Sequence, residues 1–489
     1  MIKTTTNKPG AAGIREETSS RSVSFAIVSL SLSMLMPSLD TSIANIALPT
    51  IANALNTTFE GVQWIILAYL LVITTLIVIA GRLGDITGRR RLLLSGIAIF
   101  TAASFLCGIA PNISLLIAAR AMQGAGAAIM IALTLAVAGD TVKNRKIGSA
   151  MGLLGSMSAI GTTFGPALGG LLMTLFSWRS LFLINVPIGF LNFFLAKKYL
   201  PEDRRGAAKD VLSGLDLPGT AIFALTVASY ALAVTRTKES GSLKVILLLA
   251  AVGGFISFIY YERRAKAPLI ELKVFRDPAI SAGLTANSLV SAVMMSTLVI
   301  GPFYLSKGLG LNTAAVGVLL SVGPLFAAIG GIPAGLIADR FDPARITMIG
   351  LAGILTGSAL LAVLPVSFGA AGYVAAIVVI TTSYAVFQAS NNTFMIGNAG
   401  PQKRGVISGM LTLSRNLGLI TGASFIGAVF IYAAGINDLS AAAAGSVSRG
   451  MRSAFAAAAL LMTIALVANI SAHVLRKRGR SAAVSAEPA

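Results

Sequence analysis

Fourteen apolar runs, each about as long as a helix that crosses a bilayer, constrain this chain more than any other feature. They fall at about 23–48, 61–81, 92–110, 113–138, 148–175, 180–199, 213–235, 243–261, 279–305, 313–338, 346–365, 370–396, 405–434 and 450–473. A hydrocarbon slab is about 30 Å thick and a helix rises about 1.5 Å per residue, so about twenty apolar residues span it. Inside the slab every backbone polar group must find a partner within the protein, which leaves helices as the solution for runs of this length. Composition agrees: 55% of the residues are hydrophobic and only 11% are charged, against about a quarter charged in a soluble globule. The expected fold class is therefore all-α integral membrane. The weakest runs are 213–235 and 243–261; as one re-entrant hairpin they would leave the rest of the topology unchanged. Residues 1–22 are polar and read as a disordered cytoplasmic segment, and the first apolar run is long enough to be kept as a span.

Charge sets the orientation. With the N-terminus in the cytoplasm, about 29 cations face inward and about 7 outward. The inward set includes Arg82, Arg89, Arg90 and Arg91, the pair Lys403 and Arg404, and the tail Arg476, Lys477, Arg478 and Arg480. The formal charge of +20 is thus a topology signal at an anionic membrane face, and nucleic acid is not needed to explain it. One cysteine and one histidine, Cys107 and His473, rule out an internal disulfide and a Cys or His metal cluster.

The chain reads as a duplication. Span two ends in Gly81-Arg82-Leu83-Gly84-Asp85 and span ten in Gly335-Leu336-Ile337-Ala338-Asp339-Arg340, both Gly-x-x-x-Asp at the cytoplasmic exit. The expected divisions are a six-helix half at 23–200, an inserted helix pair with linkers at 201–278, a second six-helix half at 279–475 and a basic tail at 476–489. Paired halves of this kind build a central site between them.

Few charges lie inside the spans. Asp40 is deep in span one, where an ionisable group costs about 2.5–3.5 kcal/mol on insertion scales and is a functional candidate by default. Loss of water there favours a protonated carboxyl, as a reversible proton carrier needs. Arg120, in span four, is the second buried charge. At about 1.5 Å per residue both lie about 10–14 Å below the outer surface, so a pair is expected, either switching or static. Asn45, Gln63, Trp64, Gln123, Gln388 and Asn391, with Met294, Met295 and Phe387, are candidates for lining a cavity, although each alone fits ordinary packing. Span five carries Gly148, Gly152, Gly161, Gly165, Pro166, Gly169 and Gly170, a smooth face that a proline should bend. With Gly330, Gly331 and Gly335 of span ten it forms an expected sliding surface. Span thirteen starts at Gly405 on the side of Asp85, and its dipole should attract that carboxylate.

Four stretches together resemble the fourteen-span drug:proton antiporters of the major facilitator superfamily. They are Leu39-Asp40-Thr41-Ser42 through Pro49, Gly81 through Arg90, Arg120-Ala121-Met122-Gln123-Gly124, and Gly161 through Gly170. Trp178-Arg179 and Asn185-Val186-Pro187 also resemble this branch. The resemblance covers about residues 25–435 and implies the major facilitator fold and proton-coupled export by alternating access. It implies that Asp40 binds the proton, Arg120 tunes it, and Gly81, Asp85, Arg89, Arg90, Gly161, Gly165, Pro166, Gly169, Asp339 and Arg340 form the conformational gate. It further implies a bacterial inner-membrane protein that acts as a monomer on small molecules, with protons as the coupling ion and no other cofactor. A periplasmic adaptor is compatible with this, but no residue calls for one. Two departures stand out: Asp339-Arg340-Phe341-Asp342-Pro343 lacks the basic run that follows Asp85, and no acid lies deep in the second half. The second disfavours dicationic substrates. The alternative is a dedicated exporter of one metabolite, such as a siderophore, pigment or fatty acid. No catalytic motif supports an enzyme.

Overall fold

The computed structural model describes residues 11–57, 59–142, 146–203, 216–235, 241–265, 268–363, 368–435 and 443–485. The apolar runs become helices: α1 (Ala11–Ala54), α2 (Phe59–Thr87), α3 (Arg89–Ile109), α4 (Ile113–Thr141) and α5 (Ile147–Leu175). The sixth run breaks at Ile184 into a short α6 (Ser180–Leu183) and α7 (Asn185–Tyr199). Then follow α8 (Leu217–Thr235), α9 (Gly241–Glu262), α10 (Pro278–Phe303), α11 (Thr313–Arg340), α12 (Pro343–Val363), α13 (Gly369–Asn398), α14 (Arg404–Ala434) and α15 (Ala444–Ser485). Local chemistry sets several starts. Asn112 and Asn312 accept hydrogen bonds from the backbone N–H groups of Leu115 and Ala315, and Asp277 caps α10 directly before Pro278.

Among the described residues, twelve helices are long and apolar enough to cross a membrane, and α5 makes thirteen if its two segments are one span. Those segments meet at 45° between Gly165 and Ala167, the bend expected at Pro166, which has no N–H to give the helix. The run at 213–235 starts within residues that are not described, and its described part is the shorter apolar helix Pro218–Val234. Large apolar side chains such as Phe176, Leu225, Val363 and Tyr432 point outward, as a lipid-facing surface requires. Both chain ends are more helical than expected: α1 begins at Ala11, and α15 runs through Arg476 to Ser485. Extending an existing helix fixes one residue per hydrogen bond, so a span readily propagates into a polar flank.

Helices α1–α7 pack among themselves, and so do α10–α15. The two groups meet where α5 lies on α11 and α13, and where α14 lies on α2 and α4. Helices α8 and α9 pack on each other, and α8 leans on α2 and α14.

Glycines set the closest approaches, in a pattern repeated once. Gly148, Gly152, Gly161 and Gly165 of α5 have the same spacing as Gly405, Gly409, Gly418 and Gly422 of α14. A Cβ on Gly148 would come within 2.5 Å of the Gly335 carbonyl oxygen, and one on Gly405 within 2.3 Å of that of Gly81. A Cβ on Gly165 would meet Ser42 of α1 at 2.5 Å, and one on Gly422 would meet Ala292 of α10 at 2.4 Å. The expected single sliding surface on α5 is therefore two surfaces. Gly148 and Gly152 face α11 across the boundary, whereas Gly161, Gly165 and Gly169 face α1 within their own group. A turn of about 3.6 residues per revolution carries a glycine row around the helix, so one stripe meets two neighbours.

Candidate functional site

Asp40 and Arg120 are in contact and closed off from solvent, at 1% and 0% exposure. An Arg120 guanidinium N–H donates to Asp40 Oδ2. Asp40 Oδ1 accepts from Gln123 Nε2 and from Asn185 Nδ2, both at 2.9 Å. All three groups are donors, which suits an ionised carboxylate. Arg120 is clamped in turn: its Nε donates to the Ile65 carbonyl at 3.1 Å, its Nη1 to Gln123 Oε1 at 2.6 Å, and its plane lies 4.2 Å from the Tyr69 ring centre. Tyr69 donates to the Pro37 carbonyl at 3.3 Å, and Gln123 also donates to Ser104 Oγ at 2.8 Å. The break at Ile184 makes Asn185 the first residue of α7. The site therefore joins α1, α3, α4 and α7 with the start of α2, all within the first group.

This corrects one expectation. Gln123, expected on the cavity wall, bonds both members of the ion pair, because it lies one helical turn after Arg120 on the same face. Asn185 and Tyr69 were missed as members. Asn185 stood in a quoted motif, but nothing in its spacing tied it to Asp40.

A separate cavity of about 260 Å³ lies between the two groups, with walls from α1, α4, α5, α10, α11, α13 and α14. Its size is near the lower end of small-molecule sites, about 300–1,000 Å³. Met34, Met151, Met294, Leu298 and Leu319 supply apolar wall; Ser158, Thr162, Tyr373, Tyr384, Gln388, Asn392 and Arg415 supply polar groups. Of the expected lining residues, Met294 and Gln388 take part. Phe387 is turned away and packs fully buried against the backbone at Gly350. It precedes Gln388 by about 100° of helix, which turns it to the α12 side. Asn391 points to α10, donating to the Gly283 carbonyl at 3.4 Å. Met295 and the half-buried Trp64 lie outside the lining. The side chains of Asn45, Gln63 and Pro166 lie outside the described residues.

On the side of the basic loops, two carboxylates each hold a helix of the opposite group. Asp85, at the end of α2, accepts from the Gly405 and Val406 N–H groups at 3.0 Å each, at the start of α14. Asp339, at the end of α11, accepts from the Gly148 and Ser149 N–H groups at 2.6 and 2.8 Å, at the start of α5. The first contact was expected from the helix dipole; the second is its counterpart by duplication and was not foreseen. Asp85 also pairs with Arg89 at 2.7 Å; Arg89 reaches Asp140, and Asp140 holds Arg404 at 2.8 Å. Among the described residues no arginine pairs with Asp339, and the Ser149 hydroxyl bonds it. Arg340, expected at this gate, is exposed and outside it. Arg90 acts elsewhere: its N–H bonds Asp203 at 2.9 Å, and Asp203 caps α3 after the left-handed turn at Gly88, φ 105°.

The model of the Major Facilitator Superfamily matches residues 30–423. The chain belongs to that superfamily. Among its relatives, the "Riboflavin transporter RibZ" of Clostridioides difficile (strain 630) is 29% identical over 404 residues, 83% of this chain and 87% of the relative. The "Multidrug resistance protein Stp" of Mycobacterium tuberculosis (strain ATCC 25618 / H37Rv) is 28% identical over 415 residues, covering 82% and 75%. The solved structure of the human organic anion transporter MFSD10 (TETRAN) superposes with a TM-score of 0.60, over 92% of this chain and 99% of that one. At 14% identity this likeness shows the fold alone. The superfamily member described here is thus a multi-pass, all-helical membrane protein with the major facilitator fold, and its relatives are transporters.

Proposed function

We propose that the protein is a proton-coupled antiporter that exports amphipathic organic compounds across a bacterial inner membrane by alternating access. The observation that carries this reading is the separation of two sites. A buried carboxylate sits wholly within one group of helices, and a cavity lies between the groups. A proton at Asp40 would displace Arg120 from it, and Arg120 is bonded to α2 through the Ile65 carbonyl. Protonation thereby has a path to the helix whose far end carries Asp85. The termini and basic loops would face the cytoplasm, with the protein acting as a monomer and the proton as its sole coupling partner.

The test is transport in sealed vesicles. Wild-type protein in liposomes with an imposed pH gradient is expected to concentrate a substrate dye, and Asp40→Asn, at equal membrane level, to lose that accumulation. Undiminished accumulation by Asp40→Asn would reject proton coupling through this site. A second reading, a dedicated exporter of one metabolite, is favoured by the relative named for riboflavin. A panel of unrelated dyes and antibiotics against riboflavin-like metabolites separates the two: efflux of several unrelated compounds supports the first, and of one metabolite the second.

A further inference from the structure

Arg415 stands on the cavity wall with no partner among the described residues. It lies about eleven residues into α14, hence about 16 Å from that helix's start on the basic side. Among the described residues it is the one charged residue lining the cavity, and no carboxylate lines it. Its Nε is shut off from water without a hydrogen bond, and among the described residues no acceptor bonds its guanidinium. A second orphan faces the same space: Gln388 Oε1 is buried and unbonded. The register of the glycine repeat sharpens the contrast. Arg415 in α14 corresponds to Ser158 in α5, which also lines the cavity and is bonded to Ser38 at 2.7 Å. One position of the repeat is satisfied internally; its counterpart is a cation left open.

A half-buried guanidinium without a partner at this depth is unfavourable unless the site is used, because a cation withdrawn from water needs a counter-charge. We propose that the cavity binds amphipathic organic anions and that Arg415 holds their acidic group, a carboxylate or sulfonate. This rests on the exporter reading of the same cavity and names its substrate class. A planar guanidinium suits a carboxylate, with two parallel N–H···O bonds. Gln388 Oε1 takes a donor on the ligand, a hydroxyl or an N–H. Met34, Met151 and Met294 offer polarizable wall that accepts rings of varied shape. An organic cation would meet Arg415 with no acid nearby to offset it, which excludes the substrate class that a membrane carboxylate in the cavity would select.

The test uses two dyes on one scaffold, fluorescein as the anion and rhodamine 123 as the cation. Each is titrated by fluorescence polarisation against the full chain in phosphatidylcholine nanodiscs at a pH where fluorescein is ionised. Wild type is expected to bind fluorescein at least tenfold tighter than rhodamine 123. Arg415→Gln is expected to lose tenfold or more for fluorescein while rhodamine 123 tightens, and Arg415→Lys to keep part of the anion preference. Equal fluorescein affinity in wild type and Arg415→Gln, a preference for rhodamine 123, or no binding of either dye would each overturn the proposal. So would weakening of both dyes together, which would give Arg415 a structural role. Repeating the titration with phosphatidylglycerol in the discs separates a soluble anion from a lipid headgroup. Loss of fluorescein binding there would assign the cavity to lipid and overturn the substrate claim. Transport in vesicles keeps the two readings apart. Arg415-dependent binding without proton-driven movement would reject the exporter and leave the anion site standing. Asp40-dependent movement of rhodamine 123 alone would do the reverse.

Discussion

Helices α5 and α14 are two copies of one design that have been put to different use. Their four glycines match in spacing, each copy starts on a carboxylate from the opposite group, and each packs its second glycine pair on the first helix of its own group. The register of those contacts places Asp40 of α1 opposite Val290 of α10, and Ser158 of α5 opposite Arg415 of α14. Close backbone approach has been kept in both copies because nothing but hydrogen fits where a Cβ would come within about 2–3 Å of another backbone. Polar groups have not been kept, since a side chain facing a cavity or a buried network is free to specialise. The first copy carries the paired acid and the second carries the open cation.

The comparison can be broken at its charges first. Asp40→Asn is expected to abolish proton-driven accumulation while leaving a folded protein, because an amide keeps the shape. Each single change strands a buried charge, Arg120 in Asp40→Asn and Asp40 in Arg120→Gln, a loss of about 3–5 kcal/mol. The double variant Asp40→Asn/Arg120→Gln is expected to recover part of it. Thermal unfolding of the three purified variants reads this directly, and additive losses would show that the pair is not coupled.

Glycine substitutions come next. Gly165→Leu and Gly422→Leu are expected to cost similar amounts, about 1–3 kcal/mol or more, because both force a side chain into a neighbouring helix. Gly155→Leu is expected to fold normally, since a Cβ there meets nothing within 4 Å and points to the cavity wall. It is expected to cut transport by filling space. A large difference between the Gly165 and Gly422 variants would show that the repeat is only a likeness of spacing.

The two cross-boundary carboxylates give smaller effects. An anion at a helix N-terminus is worth about 0.3–1 kcal/mol, rising to about 2 when partly buried, and about 1.4 kcal/mol shifts a two-state ratio tenfold. Asp85→Asn is expected to raise labelling of a cysteine placed on the basic-side half of α5, in a Cys107-free background, by up to about tenfold. Asp339→Asn is expected to do so less, because no arginine among the described residues is released with it. Equal labelling would mean that the Arg89 link adds nothing. Smallest of all, Ser158→Ala removes one hydrogen bond to Ser38 and is expected to cost about 0.5–1.5 kcal/mol.

Much of this was legible in the chain. Apolar run length placed the helices, Asp40 and Arg120 were paired by depth alone, and the dipole of α14 found Asp85. The bend at Pro166 followed from its missing N–H. What stayed hidden was whatever depends on helix rotation. Gln123 lies one turn from Arg120 and so joins the ion pair, and Phe387 and Gln388 are neighbours in sequence that meet different surroundings, α12 and the cavity. Arg415 was visible as a charge in span thirteen, but its open environment depends on six other helices. The glycine spacing of α14 was present all along; with no proline beside it, it did not stand out as the α5 stripe did.

The two carboxylate contacts on the basic side differ in what surrounds them. Asp85 belongs to a chain of alternating charges, Arg89, Asp140 and Arg404, of which Asp140 is about a third exposed at 31% of its side chain. Asp339 is held by two backbone N–H groups and a hydroxyl. Exposed ion pairs weaken as ionic strength rises, with a screening length of about 8 Å at physiological salt, whereas short hydrogen bonds to a helix end are little affected. The two edges of the gate therefore answer differently to the medium. On the alternating-access reading proposed above, concentrated salt is expected to weaken the Asp140 links at the α2–α14 edge more than the hydrogen bonds at the α5–α11 edge, while the buried Asp85–Arg89 pair and its helix-end contacts persist.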